Sequence, residues 1–105
     1  MTILIEYPIL FDVIATFSCK QTKLLFERQT TKLFSGKLCR VAYRKLVMLH
    51  AATRLDDLRM PPGNRLEVLR GDRKGQFSIR INDQWRICFA WRDGNVHDVE
   101  IVDYH

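Results

Sequence analysis

Residues 76–91 read QFSIRINDQWRICFAW. Two alternating runs meet there across Asn82-Asp83. Phe77, Ile79 and Ile81 fall on one face of an extended chain, with Ser78 and Arg80 on the other. Trp85, Ile87, Phe89 and Trp91 repeat the pattern, which sends Arg86 the opposite way. A period of two in both runs predicts a pair of strands joined by a turn. One face of that pair is rich in Phe, Trp and Ile and needs a cover. The other keeps its cations.

The neighbours extend the sheet. Asp93-Gly94 is a strong short hairpin signal. It leads into a last strand, Val96 to Val102. On the other side, GDRKG (71–75) is a turn framed by two glycines, preceded by a strand from Arg65 to Arg70. Pro61, Pro62 and Gly63 separate this half from what comes before.

Upstream the period becomes helical. Leu38, Val41, Ala42, Leu46, Leu49 and Ala52 predict a helix over Leu38 to Thr53, with Arg40, Arg44, Lys45 and Arg54 on much of the remainder. TTKLFSGK is read as a break punctuated by Gly36. A shorter helix, Thr22 to Gln29, carries Leu24, Leu25 and Phe26. Ser18 and Gln21 have capping-box spacing before it. Val13 to Phe17 is a first strand. The order β-α-α-β-β-β-β is an α+β architecture, with two helices packed on one face of a largely antiparallel sheet. The uncovered face then carries Glu67, Arg80 and Arg86, with room for a ligand.

The chain has 105 residues, enough for one small domain, and 47% are apolar. Residues 1–12 hold Glu6 and Asp12 and no basic residue. They read as an N-terminal extension to a domain over residues 13–105. All 17 Lys and Arg lie between Lys20 and Arg92, and the net charge is +5. That balance points to an anionic partner: RNA, DNA or anionic lipid. No apolar run approaches the roughly 18 residues of a membrane span. Cys19, Cys39 and Cys88 are odd in number and widely spaced, and neither they nor the histidines have metal-ligand spacing. No metal or other cofactor is expected, and a reducing cytoplasm fits. Cys39 and Cys88 sit in apolar segments and read as buried.

Three groups of residues offer chemistry. Arg86 is either a guanidinium aimed at phosphate or an exposed arginine paired with Asp98 or Glu100. Arg70, Arg73 and Lys74 either meet a nucleic-acid backbone or decorate a solvated turn. The last residues, Asp103, Tyr104 and His105, are either a proton-transfer and stacking set or a frayed tail. Metal-free RNA cleavage needs such a set: a base for the 2′-hydroxyl, an acid for the leaving oxygen, and cations for the phosphorane.

The segments LRGDRKG, NDQWRICF and EIVDYH, taken together, resemble the HigB toxins of the RelE/ParE superfamily. The resemblance spans Val13 to His105. It implies a small sheet with two helices, and a cytoplasmic toxin that cleaves mRNA in the ribosomal A site. It also implies a HigA-like helix-turn-helix antitoxin as partner, besides the ribosome and mRNA. Arg86 would stabilise the scissile phosphate. His105 would transfer a proton, Tyr104 would orient or stack on RNA, and Asp103 would orient a neighbour or share a proton. Arg65, Arg73, Lys74 and Arg80 are the cations expected to face RNA. Glu67 stands where well-studied members carry histidine, and Arg70 where they carry lysine. Glu67 can serve as a base but repels phosphate, and Arg70 is a poor proton donor. A non-catalytic module of the same fold, inhibiting a ribosomal or protein target by binding, is the alternative.

Overall fold

The computed structural model describes residues 14–28, 31–32 and 34–104. Readings that fall on residues 1–13, on Gln29 and on His105 lie outside them. Helix α1 is Lys20–Arg28 and α2 is Gly36–Ala51. Strands β1 (Glu67–Val68), β2 (Gln76–Arg80), β3 (Trp85–Arg92) and β4 (Asn95–Asp103) form an antiparallel sheet in sequence order. Ile14 and Phe17 add isolated parallel bridges to Val96 and Val99 beside β4, short of a continuous strand.

The β2–β3 register sets Ile79 against Ile87 and Phe77 against Phe89. These side chains meet Leu25 of α1 and Ala42, Leu46 and Leu49 of α2 in one core. Each fully buried Leu, Ile or Phe adds about 1.5–3 kcal/mol. Leu58, from the 3-10 turn Leu55–Arg59, closes the same cluster. Thr22 is the polar exception on α1: its buried hydroxyl accepts from Ile101 N at 3.0 Å and ties the helix to β4.

Two backbone irregularities shape β4. The β3–β4 register shifts between Cys88 and Ala90, and Asp98 has φ 56. That bulge lets Val96 and Val99, three residues apart, both reach the core. At the β3–β4 turn, Asp93 and Gly94 have φ 53 and 78, the positive pair the hairpin signal calls for.

Several boundaries differ from expectation. α2 starts at Gly36 rather than Leu38, because the Ser35 hydroxyl accepts from Leu38 N at 3.1 Å and caps the helix. Gly36 is thus a first-turn residue and not a break. α1 starts at Lys20, ahead of Thr22, and Gln21 spends its side chain as acceptor for the Thr31 hydroxyl. The strand expected over Arg65 to Arg70 shrinks to two residues. Arg65 sits at φ 47 after the 3-10 turn Pro62–Asn64, so extended pairing cannot begin until Glu67.

Candidate active site

The sheet face turned away from the helices is polar at its centre. Register places Glu67, Ser78, Cys88 and Glu100 in one row across all four strands. Arg80, Arg86 and Val102 form the next row. Arg86 is only 7% exposed. Such burial of a charge demands partners, and the structure supplies them from three segments. Its Nε donates to Ser78 Oγ at 2.7 Å, and its Nη2 to Ser78 O at 3.3 Å. Nη2 also donates to the carbonyl of Arg65. The Glu67 carboxylate lies 3.8 Å away, and the Tyr104 ring centroid is 5.5 Å from Cζ. The pairing with Asp98 or Glu100 weighed from the sequence is not made: Asp98 pairs with Arg92, and Glu100 with Arg73.

The Arg65 carbonyl reaches Arg86 because the preceding loop is pinned. Asn64 is fully buried, and its Nδ2 donates to Leu58 O at 3.1 Å and Met60 O at 3.2 Å. Its Oδ1 accepts from Lys45 of α2. Burial, with Arg44 and Arg80 nearby, holds the Lys45 ammonium below the usual lysine range. Gln84 fixes the other end of the site. Its carbonyl accepts from Tyr104 N at 2.6 Å, and its Nε2 donates to Asp103 Oδ2 at 3.1 Å.

The residues singled out by sequence divide. Arg86, Glu67 and Tyr104 come together, with Arg65 joining through its backbone. Arg80 faces Arg86 across the β2–β3 ladder and turns its guanidinium to Asp83. Asp103 is in register with Trp85, on the opposite face from Arg86. Arg73 is a strut: it donates to Gln76 Oε1 at 3.0 Å and Glu100 Oε1 at 3.1 Å, linking the turn to β4. Arg70 and Lys74 are exposed at either side of the 3-10 turn Gly71–Arg73. Ser78 and Gln84 were given no role from the sequence. The alternation that put Ser78 on the arginine face was the available signal for it.

Cys88 lies in the same polar row and is fully buried. Burial pushes its thiol up, and Glu100 adds to this against Arg73 and Arg86. It is therefore a neutral thiol and no nucleophile at neutral pH. Among the described residues, no group of three or more His, Cys, Asp or Glu is placed to hold a metal ion.

A family profile described as "RelE-like toxin of type II toxin-antitoxin system HigB" matches residues 15–105. The chain belongs to this HigB-like toxin family. Toxin HigB-1 of Vibrio cholerae is 48% identical over 63 residues, which are 60% of this chain and 66% of that protein. Endoribonuclease HigB of Proteus vulgaris is 31% identical over 93 residues, 89% of this chain and 100% of that protein. An uncharacterized Haemophilus influenzae protein is 37% identical over 64 residues, 61% of this chain and 63% of its own length. The chain thus spans just under two thirds of the Vibrio and Haemophilus relatives. The fold is shared with the YoeB-YefM complex from Staphylococcus aureus, at TM-score 0.51, 17% identity, and coverage of 88% of this chain and 97% of that one.

Proposed function

We propose that this HigB-family chain is the toxin of a type II toxin–antitoxin pair and acts as a ribosome-dependent endoribonuclease in the cytoplasm. Its substrate is mRNA in the ribosomal A site, and a HigA-like helix-turn-helix protein neutralises it. The observation that carries this reading is Arg86, buried, held by Ser78 and the Arg65 carbonyl, and roofed by a half-exposed tyrosine ring. A guanidinium fixed in this way is preorganised for developing phosphate charge. The full-length Proteus relative, named an endoribonuclease, supports the same chemistry.

The reaction follows from the groups present. A base takes the proton of the 2′-hydroxyl. The 2′ oxygen bonds to phosphorus, and the P–O5′ bond breaks as the 5′ oxygen takes a proton. The products are a 2′,3′-cyclic phosphate and a 5′-hydroxyl. Arg86 stabilises the phosphorane, and the exposed ring of Tyr104 stacks on a base. Glu67 is the carboxylate nearest Arg86 and the candidate base on this face; His105 completes the proposed proton-transfer set, and Asp103, which accepts from Gln84 Nε2, orients the C-terminal segment. Arg65, Arg70, Lys74 and Arg80 supply the surrounding positive field. The ribosome contributes by holding the strand in a reactive pose.

The contact between Glu67 and Arg86 favours one competing reading, a non-catalytic module that binds its target. A carboxylate at the phosphate's place weakens the site for RNA. Adding wild-type protein to translating ribosomes and mapping mRNA 5′ ends separates the two. The nuclease reading predicts new ends with ribosomes and none on free mRNA. Arrested translation with intact mRNA would favour the binding module.

A further inference from the structure

The polar face of the sheet continues past Arg86. Small side chains floor it there: Cys88 is fully buried and Ala90 nearly so, with Ser78 beside them on β2. Larger polar groups stand on the flanking strands, Gln76 on β2 and Glu100 on β4. Register puts Gln76 level with Ala90 and Glu100 level with Cys88. β3 runs between them, so they are two strand spacings apart, about 10 Å.

One side chain bridges that gap. Arg73, at the end of the 3-10 turn Gly71–Arg73, donates from Nη1 to Gln76 Oε1 at 3.0 Å and from Nη2 to Glu100 Oε1 at 3.1 Å. Its guanidinium is thereby laid across β3 and fixed by an acceptor on each side. Arg73, Glu100 and Arg86 all lie close enough to act on the Cys88 thiol. Yet the side chains of Arg73 and Glu100 keep 34% and 32% exposure. Among the described residues, Glu100 Oε2 accepts no hydrogen bond. Charge decides what such a surface takes. Arg73 and Glu100 neutralise each other, and the Glu67 carboxylate stands at the far end of the same row. A phosphate gains little there and meets repulsion from both carboxylates. A guanidinium plane is instead a stacking platform for a base. A carboxylate oxygen with no donor suits a base's amino group.

We propose that Arg73 and Glu100 form a base-reading subsite: the nucleotide next to the cleaved bond stacks on the Arg73 guanidinium, and Glu100 Oε2 accepts from the exocyclic amino group of its base. The subsite deepens the nuclease reading and rests on it. Cys88 follows Arg86 by two residues on the same face, about 7 Å along the strand. The platform is therefore about one nucleotide's step from the phosphate position at Arg86. Adenine, cytosine and guanine carry the amino group and uracil does not, so a message with uracil at this step is cut more slowly.

The test uses the full chain as wild type, Glu100→Gln and Arg73→Lys, each confirmed folded by circular dichroism. Glu100→Gln keeps an oxygen for Arg73 but offers an N–H where the carboxylate accepted. Arg73→Lys keeps the charge and loses the plane. Cleavage on ribosomes is measured for messages carrying each of the four bases at the two positions flanking the cut. Wild type is expected to disfavour uracil about ten-fold or more at one of them. Glu100→Gln should erase or reverse that preference and leave the other position unchanged. Arg73→Lys should lower kcat/KM about ten-fold or more for all four bases. A wild-type base profile in Glu100→Gln, or undiminished cleavage by Arg73→Lys, would overturn the proposal and reduce the pair to a brace. Binding of labelled 2′-O-methyl tetranucleotides, one for each base, is followed in parallel and needs no cleavage. If wild type cuts no message, the nuclease reading fails. The subsite then stands only if the amino-bearing tetranucleotides bind more tightly than the uracil one and lose that advantage in Glu100→Gln; equal binding of all four would overturn it.

Discussion

Ser78→Ala removes one oxygen, the acceptor 2.7 Å from Arg86 Nε. The guanidinium stays buried with that donor unsatisfied, at a cost of about 1–3 kcal/mol. Thermal melting should show the loss, and cleavage should fall with it because Arg86 is no longer held. Glu67→Gln tests a different balance. Neutralising the carboxylate 3.8 Å from Arg86 should tighten RNA binding. If Glu67 also accepts the 2′-hydroxyl proton, single-turnover cleavage should slow in the same variant. Tighter binding with undiminished cleavage would remove Glu67 from proton transfer. The face that Arg86 occupies was readable from its phase against Trp85, Ile87, Phe89 and Trp91. Its burial was not, since Ser78, Arg65 and Tyr104 converge on it from separate segments.

At the scale of elements, the loop between α2 and β1 delivers the Arg65 carbonyl, and two caps set its course. Asn64→Leu would leave the carbonyls of Leu58 and Met60 without their side-chain donor, and Lys45 without its acceptor. A loss of about 1–3 kcal/mol is expected by denaturant titration. Cleavage should fall further than the folded fraction does, since Arg65 is displaced. Asp57 caps the start of the same loop, accepting from Thr53 N at 2.9 Å, Thr53 Oγ1 at 3.0 Å and Arg54 N at 3.1 Å. Those bonds, the Thr53 N–H first, hold its carboxyl below the ordinary 3.8. Its contribution is therefore complete above that value and lost as pH falls through the lower folded pKa. Asp57→Asn should lower stability at neutral pH and flatten the decline between neutral and acid pH. An unchanged acid limb in the variant would deny Asp57 that role. β2, β3 and the turn before β4 were legible because period two and Asp93-Gly94 are local signals. β1 was overdrawn because a left-handed Arg65 leaves no mark on hydrophobic pattern. The start of α2 was misplaced because Gly36 looks like a break until Ser35 is seen as a cap.

For the whole molecule, a net charge of +5 predicts that the proposed binding to RNA weakens steeply with salt. Arg73 shows how a cation read for RNA also serves the fold: from its place in GDRKG it reaches Glu100, 27 residues away. Helices over sheet, and a polar face opposite the cover, followed from pattern. Which cations the fold spends on itself required the three-dimensional contacts. Arg86 is the group proposed to meet the scissile phosphate. The most direct measurement is single-turnover cleavage of ribosome-bound mRNA by wild type, Arg86→Lys and Arg86→Ala, each confirmed folded by circular dichroism. Loss of a preorganised donor predicts a fall of about 100-fold or more for Arg86→Ala, with Arg86→Lys rescuing little. Cleavage at the wild-type rate by folded Arg86→Ala protein would contradict it.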